Sequence, residues 1–409
     1  MNELSWDVVV VGAGAAGLFA AICAAERGRR VLVLEKNRKP AVKILMSGGT
    51  RCNITHDTDN RGIIAEYGTP GKFLHSALAA LSVQDTLTFF HAEGLATKVE
   101  ETGKVFPVSN KATDVLAAIL RRLERTTATL ALGEPVIDIE MPEKFAIKTA
   151  QRMIHAGRVI LTTGGKSYPG AGTTGDGYRI AQRFGHRILP TRPALVPLTT
   201  NIPWVGAMRG ITLPDVGLCV MDGDRTLAKR RGAMLFAHFG LTGPAPLDVS
   251  RVVSGHPAPG TLTLGVDLMP NESEPALDAW LRDESLASGK KQLAIVLSQR
   301  LPRRMCDVVL EATQLPIDRK ATGLAKADRQ RLARMLKHLP IPLTGTLGFE
   351  KAEVTAGGVA LDEVDSRTMQ SKRTPGLFFA GEILDLDGPI GGYNFQAAWS
   401  TGWLAGASA

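Results

Sequence analysis

Residues 6–36 of the chain read WDVVVVGAGAAGLFAAICAAERGRRVLVLEK, and this stretch decides the fold. It opens with the apolar, β-branched run at 7–11, which is typical of a buried parallel strand. An alanine-rich segment of helical composition follows and ends at Arg27, before Gly28. Residues 31–34 predict a second strand. Strand, helix and strand together form a βαβ unit, so the sequence predicts a doubly wound α/β fold.

The first strand and the helix are joined by the glycine-rich turn GAGAAG at 12–17. In such a turn Gly12 makes the tight bend, Gly14 lets the backbone approach a pyrophosphate, and Gly17 lets helix and strand pack closely. The helix N-terminus adds unpaired N–H groups and a partial positive charge. Glu35, which ends the second strand, can accept a hydrogen bond from a ribose 2′-hydroxyl. The combination favours a dinucleotide site over a glycine-rich turn in an ordinary βαβ unit.

The overall composition is that of an α/β enzyme. With 409 residues the chain is long enough for two domains, or for one large domain with an insertion. No apolar run approaches the ~20 residues that a membrane helix requires, and the first such run is a strand rather than a signal peptide. We therefore expect a cytoplasmic protein without a membrane partner. The cysteines lack CxxC spacing, which predicts free thiols and no metal site. They are Cys23, Cys52, Cys219 and Cys306.

The formal net charge of +8 is unevenly distributed. Residues 290–337 contain twelve Lys or Arg residues against four Asp or Glu residues, an excess as large as that of the whole chain. Such a segment is typical of a surface that binds a polyanion such as RNA. The alternative is a solvated helical face in a basic protein. The cations are Lys290, Lys291, Arg300, Arg303, Arg304, Arg319, Lys320, Lys326, Arg329, Arg331, Arg334 and Lys337.

Two further glycine-rich stretches predict loops near the dinucleotide. Ser-Gly-Gly at 47–49 offers free backbone donors, and Lys43 and Arg51 beside it can supply positive charge. Thr-Gly-Gly at 163–165 ends a predicted strand, where ligands bind in a doubly wound fold. Residues 170–175 also match GxGxxG, but they follow a proline instead of a strand, so we interpret them as an active-site loop and not as a second nucleotide fold.

A proline-rich stretch at 190–197 marks a domain boundary. We expect residues 1–194 and 351–409 to form the nucleotide domain, and 195–350 to form an inserted domain with a β-rich part and a helical, basic part from 272 to 339. Predicted helices lie at 69–93, 113–125 and 177–185, and predicted strands at 134–140, 158–163, 194–199, 217–221, 233–237, 261–268 and 345–355.

Like the first motif, the C-terminal region combines a strand, glycines, a carboxylate and the start of a helix. A short apolar strand at 377–380 is followed by Gly381 and Glu382, and a helix is predicted to start near Tyr393 behind two glycines. A carboxylate at a strand end can bind ribityl hydroxyls, and a helix N-terminus can face the negative charge at the N1/C2 edge of a reduced flavin. The alternative is one more glycine-rich loop.

With these residues in place, the chain resembles the flavoproteins with two dinucleotide-binding domains, and more narrowly the bacterial BaiN-like family, some of whose members are labelled aminoacetone oxidase-like. The matching pieces span nearly the whole chain. They are VVVGAGAAGL, KILMSGGTRCNITH, LTTGGKSYPGAGTTGDGY, HFGLTGP, AEVTAGGV and GLFFAGEILDLDGPIGGYNFQAAWSTG. One departure is Thr50, where many relatives have a third glycine.

The resemblance implies a Rossmann-like, glutathione-reductase-like FAD-binding domain built from both ends of the chain, with an inserted β-barrel plus helical domain. It places Gly12, Gly14, Gly17 and Glu35 at the ADP part, residues 47–53 along the FAD, and the C-terminal motif at the ribityl chain and ring. The candidate cofactor-binding residues are Gly12, Gly14, Ala15, Ala16, Gly17, Glu35, Lys36, Lys43, Ser47, Gly48, Gly49, Arg51, Cys52, Asn53, Val136, Thr163, Gly164, Gly381, Glu382, Asp387, Gly388, Gly391, Gly392, Tyr393 and Asn394.

The resemblance leaves the reaction open. Some relatives are associated with NAD(P)H-dependent reduction of carbon–carbon double bonds, including formation of dihydrouridine in ribosomal RNA, whereas the oxidase label implies a small amine such as aminoacetone. A third hypothesis is a flavin-binding, RNA-associated protein without turnover. We favour the reductase, because an amine oxidase leaves the basic segment unexplained. NADH or NADPH preference, the electron-donor pocket and the oligomeric state stay open.

A reductase needs a proton donor beside the flavin. Cys52 is the first candidate, because it lies in the loop predicted to approach the flavin beside Arg51; its alternative is a packing role. His238 is a second candidate, with a structural hydrogen-bonding role as its alternative, and Tyr168 is a third.

Overall fold

The computed structural model describes residues 6–287 and 290–409, which form two compact units. The first unit combines the described part of Met1–Pro193 with Glu353–Ala409. The second unit is Ala194–Ala352.

The strands are β1 (Trp6–Val11), β2 (Val31–Glu35), β3 (Thr55–His56), β4 (Thr97–Val99), β5 (Lys104–Pro107), β6 (Thr129–Leu132), β7 (Val136–Glu140), β8 (Phe145–Thr149), β9 (Met153–Leu161), β10 (Ile188–Ala194), β11 (Leu198–Thr199), β12 (Thr212–Asp222), β13 (Arg225–Ala237), β14 (Gly240–Thr242), β15 (Thr263–Asp267), β16 (Leu339–Pro342), β17 (Gly345–Thr346), β18 (Val354–Val359) and β19 (Leu377–Phe379). The helices are α1 (Ala15–Glu26), α2 (Val42–Thr50), α3 (Asn60–Tyr67), α4 (His75–Ala80), α5 (Val83–Ala92), α6 (Ala112–Glu124), α7 (Asp176–Arg183), α8 (Pro203–Ala207), α9 (Pro244–Ser254), α10 (Glu274–Ala287), α11 (Leu293–Leu297), α12 (Arg303–Ala312), α13 (Lys326–Lys337) and α14 (Tyr393–Ser408).

The first unit is a Rossmann-like α/β domain around a seven-stranded sheet in the order β6-β2-β1-β9-β8-β7, with β19 also paired to β9. The strands β6, β2, β1, β9 and β19 run parallel, while β8 and β7 are antiparallel additions. The β1 residues from Val8 to Val11 are buried, as expected for a parallel strand covered on both faces. The carboxyl ends of β1, β2, β9 and β19 therefore lie along one edge of the sheet.

Helices α1 and α14 pack against each other through small residues. A Cβ atom on Gly402 of α14 would lie 2.2 Å from the carbonyl oxygen of Ala16 in α1, and one on Gly406 would lie 2.3 Å from that of Ala20. Real Cβ atoms do not approach backbone oxygen this closely, so the crossing depends on glycine at both positions. This contact joins the N-terminal and C-terminal motifs.

Three segments for which the sequence predicted a single element contain more than one. The strand predicted at 345–355 consists of β17, a 3-10 turn at Phe349–Lys351 and the start of β18. The helix expected at 69–93 is a 3-10 turn, Thr69–Leu74, followed by α4 and α5. Ser82 ends the continuity, because its side chain caps α5 in a capping box with Asp85. The strand expected at 194–199 is divided into β10 and β11, and Leu195 between them has φ +49°, which no strand residue adopts.

The second unit contains an antiparallel seven-stranded sheet in the order β16-β15-β12-β13-β14-β11-β17. The predicted helical part, α10 to α13, lies between β15 and β16 along the chain. The two ends of this path, β16 and β17, are consecutive in sequence and joined by Leu343 and Thr344. The Leu343 N–H donates to Leu262 and the Thr344 N–H donates to Thr199. The expected barrel itself stays a prediction.

A buried charge cluster in the first unit predicts acid sensitivity. Glu363 accepts hydrogen bonds from the Arg373 guanidinium and from the Arg187 backbone N–H, and its carboxylate lies 3.3 Å from Nδ1 of buried His186. The Arg373 bond is the main cause that lowers the pKa of Glu363 to about 2, while burial lowers the pKa of His186. Both groups therefore bind fewer protons when folded than when unfolded.

We accordingly expect the free energy of unfolding to fall below pH 6.5 through His186, and further between pH 4.5 and about 2 through Glu363. Urea unfolding at a series of pH values measures this. The Glu363→Gln variant should be less stable at pH 7 and should lose less stability on acidification than the parent. A parallel loss in both proteins across the acid range would contradict the assignment.

Candidate functional site

The turn between β1 and α1 has a separate requirement at each glycine. Gly12 has φ +104°, and a Cβ atom there would lie 2.7 Å from the carbonyl oxygen of Thr162. A Cβ atom on Gly17 would lie 1.9 Å from the carbonyl oxygen of Gly12. Gly14 differs, since no heavy atom lies within 4 Å of its Cβ position. The open side of Gly14 is therefore available to a ligand that approaches the backbone.

The N-terminus of α1 fits the pyrophosphate of a dinucleotide. Its N-cap residue is Gly14, so no N-cap side chain accepts from the first N–H groups, and the first turn has no acidic residue. The N–H groups of Ala15, Ala16 and Gly17 belong to this first turn and have no acceptor within the helix. Together with the helix dipole they can bind an anionic group.

Glu35 is held at the edge of this turn by two backbone donors. Its Oε2 accepts the Ala13 N–H at 2.8 Å, and its Oε1 accepts the Asn37 N–H at 2.8 Å. A carboxylate has about four acceptor positions, so Glu35 keeps capacity for the ribose hydroxyls predicted from the sequence.

Lys36 and Asn37, at the end of β2, make hydrogen bonds to the second GxGxxG stretch and to the residue after it. The Lys36 Nζ donates to Asp176 and Thr174, both at 2.7 Å. The side-chain amide of Asn37 donates to the carbonyl oxygen of Ala171 at 3.0 Å. Residues 170–175 therefore lie against β2 as a loop, and the charge of Lys36 is already balanced by Asp176.

The C-terminal part of α2 forms a non-helical loop, and an unpartnered buried acceptor follows it. Ser47, Gly48 and Gly49 leave helical geometry, with φ of +54° and +67° at the two glycines. A Cβ atom on Gly48 would lie 3.1 Å both from the Phe106 ring and from the Asn53 backbone nitrogen. Oδ1 of Asn53 is buried without a hydrogen-bond partner among the described residues. Such an atom costs free energy unless a ligand or water satisfies it, which fits a cofactor against this loop.

Arg51 stabilises the same loop. Its guanidinium donates to Glu100 at 2.7 Å and lies 4.0 Å from the centre of the Phe106 ring. The Arg51 charge is thus balanced by a protein carboxylate in this structure.

Thr50 in this loop has φ +67°, although it is β-branched. Because a left-handed conformation disfavours such a residue, we expect Thr50→Gly to raise the free energy of unfolding by about 0.5–1 kcal/mol, after the added entropy of the unfolded glycine is counted. Chemical denaturation measures this. Thr50→Ala is the control, which keeps a Cβ atom in the same conformation and should gain less. Equal gains in both variants would show that φ strain is not the cause.

Glu382 belongs to a charged cluster with Lys43. The Lys43 Nζ lies 2.6 Å from Oε2 of Glu382 and donates to Oγ of Ser167 at 2.7 Å. The other carboxylate oxygen of Glu382 accepts from Ser167 Oγ and from the Thr355 N–H. These three partners leave Glu382 little acceptor capacity for ribityl hydroxyls. Ser167 and Thr355 were missed from the sequence, although both lie in motifs that carry the family resemblance.

Gly381 connects the C-terminal motif to the first one. It has φ +75°, and a Cβ atom on it would lie 2.8 Å from Cβ of Ala16. Its N–H donates to Oγ1 of Thr401 in α14 at 3.0 Å. The two glycine-rich motifs at opposite ends of the chain therefore meet in one site.

The start of α14 is fixed by its own loop. Gly391 and Gly392 have φ of +136° and +97°, and a Cβ atom on Gly392 would lie 2.4 Å from the carbonyl oxygen of Thr55. The Asn394 side chain accepts the Gly388 N–H at 2.8 Å and donates to the Gly388 carbonyl at 2.9 Å. Asn394 therefore shapes the loop. The N–H groups of Asn394 and Phe395, in the first turn of α14, have no acceptor within the helix.

Aromatic side chains pack against the loop that precedes α14. The ring of His56 stacks on Tyr393 with 4.7 Å between centroids, and its Nδ1 lies 3.0 Å from the carbonyl oxygen of Gly391. A Cβ atom on Gly388 would lie 2.7 Å from the Tyr67 ring, and Asp387 beside it is buried. His56 and Tyr67 were missed from the sequence, although His56 lies in one of the matching motifs.

Three more candidates lie at the ends of strands β7 and β9. Thr163 has a buried Oγ1 without a hydrogen-bond partner among the described residues, and Gly164 has φ +73°. Val136 starts β7, where it pairs with Thr149. Thr162, which the sequence analysis missed, donates through Oγ1 to the carbonyl oxygens of Val11 and Gly12 and so anchors the first turn.

The candidate proton donors have different environments. Cys52 is fully buried, and burial raises the pKa of its thiol to about 12. A buried thiol of such high pKa is better suited to packing than to proton transfer. His238 is exposed in the turn between β13 and β14 of the second unit. Tyr168 is half-buried with φ +55°.

Residues 6–287 and 290–409 were searched for metal sites and for membrane-spanning helices. No group of three His, Cys, Asp or Glu side chains there is placed to hold a metal ion, and no helix there is long and apolar enough to cross a membrane. All four cysteines are free thiols.

The fold and its glycine-rich turn define a Rossmann-type dinucleotide-binding protein. A model of the HI0933-like protein Rossmann domain matches residues 6–408, so the chain belongs to the HI0933-like family. This is the flavoprotein family that its motifs resemble, and the protein is accordingly an FAD-dependent oxidoreductase.

Two relatives and one solved structure illustrate the similarity. The ribosomal RNA dihydrouridine synthase of Escherichia coli (strain K12) is 34% identical over 402 residues, covering 97% of this chain and 96% of the relative. The 3-dehydro-bile acid delta(4,6)-reductase of Clostridium scindens is 31% identical over 408 residues, covering 98% of both chains. The 3-ketosteroid delta1-dehydrogenase of Sterolibacterium denitrificans has a TM-score of 0.52 at 14% identity, covering 98% of both chains, which shows a common fold.

Proposed function

We propose that the protein is an NAD(P)H-dependent reductase of an activated carbon–carbon double bond, and that its substrate is a uracil base in ribosomal RNA. The observation that carries the proposal is the similarity, over 97% of the chain, to a protein named ribosomal RNA dihydrouridine synthase. Dihydrouridine is uridine with its C5–C6 double bond reduced. The bile acid relative is also named as a reductase, so reduction of a double bond is the chemistry the two names share.

The chain's own residues have distinct roles in this proposal. The first turn of α1 binds the pyrophosphate, and Glu35 binds the ribose of the ADP part. The start of α14, held by Gly392 and Asn394, would stabilise the negative charge of the reduced flavin when the cofactor is bound. Bound FAD, once reduced by NAD(P)H, would supply the hydride that reduces the double bond. Of the two candidate donors of the proton for the neighbouring carbon, His238 is exposed, whereas Cys52 is buried with a raised pKa and fits a packing role better.

An RNA substrate makes two further demands. The target base must leave its stack to reach the flavin, and the phosphates need cationic partners. The formal net charge of +8 supports the second demand. The proposal includes a cytoplasmic location, where ribosomal RNA is available.

Anaerobic mixing of the purified yellow protein with NADPH, and separately with NADH, tests the reductase. We expect rapid bleaching of the flavin absorbance with one of them. Subsequent addition of ribosomal RNA from cells that lack this protein should restore the absorbance and produce dihydrouridine, measured by mass spectrometry of nucleosides. RNA from cells that contain the protein is the control, since its target base is already reduced.

Other outcomes identify the alternatives. Bleaching with aminoacetone but with neither nicotinamide would establish the amine oxidase. RNA binding without any flavin reduction would establish the scaffold without turnover.

A further inference from the structure

The cations of the basic segment 290–337 fall into two groups. Six of them are paired with carboxylates, several of which come from the preceding residues 267–278. Helix α13 contributes the cation to four of these pairs, so most of the positive charge of this helix is balanced by carboxylates. The pairs are Arg300–Glu272, Arg303–Asp307, Arg329–Asp278, Arg331–Asp328, Arg334–Glu274 and Lys337–Asp267.

The second group has no carboxylate within salt-bridge distance among the described residues. Four of its members lie on two stretches that the fold brings side by side. An antiparallel bridge joins Gln292 to Lys320, the Leu293 N–H donates to Arg319 at 2.7 Å, and the Ala321 N–H donates to Lys291 at 2.9 Å. We call residues 290–293 and 319–321 the cationic ribbon. The unpaired cations are Lys290, Lys291, Arg304, Arg319, Lys320 and Lys326.

A cavity of about 310 Å³, lined by both polar and apolar residues, lies next to the ribbon. Its lining includes Arg282, which is paired with Asp283, and Arg329, together with Thr322 and Gly323, which directly follow the ribbon in sequence. Arg329 uses its Nε for Asp278 and its Nη1 for a carbonyl oxygen, so its remaining amino group is left for a ligand. Guanidinium, hydroxyl and backbone N–H donors of this kind are the groups that bind phosphate oxygens.

We propose that the cationic ribbon and this cavity bind the sugar-phosphate backbone of the RNA substrate, and that the outer face of α13 does not. The inference rests on the proposed function, which supplies the RNA. The unpaired cations of the ribbon release the counterions of RNA at no cost in broken ion pairs, whereas Arg331 and Arg334 on the outer face of α13 must first give up the carboxylates with which they pair. The ribbon therefore carries the electrostatic part of RNA binding.

A pair of matched double variants of the full chain tests this. Lys291→Gln with Lys320→Gln removes two ribbon charges, and Arg331→Gln with Arg334→Gln removes two charges from α13. The probe is purified ribosomal RNA, and the dissociation constant is measured at several salt concentrations. We expect the ribbon variant to bind at least roughly tenfold more weakly and to lower the slope of log K against log salt by about 1–2. The α13 variant should stay within about threefold of the parent.

The outcomes separate the inference from the function on which it rests. Equal losses in the two variants, or a larger loss in the α13 variant, would overturn the ribbon while the reductase proposal stands. A parent protein that neither binds nor reduces ribosomal RNA would overturn both. The thermal unfolding temperature of each variant shows that the substitutions leave the fold intact, since all four side chains are exposed.

Discussion

Replacement of Gly14 by alanine is expected to weaken FAD binding at least roughly 100-fold, or about 2.8 kcal/mol, while the apoprotein stays folded. No heavy atom lies within 4 Å of the Cβ position of Gly14, and its φ of −80° is allowed for any residue. A methyl group there is therefore tolerated by the protein, at a cost below about 1 kcal/mol for the altered N-cap. The same methyl group occupies the space through which a pyrophosphate reaches the backbone.

FAD titration followed by flavin fluorescence, with thermal unfolding of the apoprotein, measures both effects. Gly28→Ala is the matched control in the same βαβ unit, because Gly28 also has an open Cβ position but lies at the other end of α1. It should lose stability through its φ of +82° and keep its FAD affinity. Unchanged FAD affinity in Gly14→Ala would refute the pyrophosphate site at this turn.

Replacement of Gly402 by valine is expected to destabilise the first unit by about 3 kcal/mol, with a fall in Tm on the order of 10 °C. Its Cβ atom would lie 2.2 Å from the Ala16 carbonyl oxygen, and that oxygen belongs to the backbone of a buried helix. Helix α14 would have to move away from α1. Since α1 begins at the dinucleotide turn, FAD affinity should fall together with stability.

Ala407→Val is the matched control in the same helix, because Ala407 is only partly buried. It adds a β-branched residue to α14 without a backbone contact and should change Tm by no more than a few degrees. Differential scanning calorimetry of the two apoproteins gives the comparison. Similar Tm values for Gly402→Val and Ala407→Val would show that the α1–α14 crossing tolerates separation.

The sequence predicted the motifs of the site, but it did not predict the contacts that their charged side chains make. The strand, turn and helix around Gly12 follow from local patterns, and the structure contains each of them. Lys43 and Arg51 were expected to offer charge to phosphates, but each is paired in the structure, with Glu382 and Glu100. Such pairs join residues far apart in sequence, so no local pattern can reveal them.

The elements that the sequence analysis wrongly joined had different causes. Ser82 and Asp85 form a capping box that was visible in sequence but was overlooked within a helical composition. The split between β10 and β11 had no such signal, because it depends on the separate strands with which each of them pairs.

By itself the sequence determined the Rossmann-type dinucleotide turn, because the strand, the glycines and the helix are contiguous in one βαβ unit, and the resemblance of its motifs implied the flavin. Tertiary structure alone decided that Gly381 and Gly402 meet Ala16, which joins the two ends of the chain in one site. It also decided which cations of the basic segment have no carboxylate partner, because the carboxylates that pair with the others approach only when the chain folds.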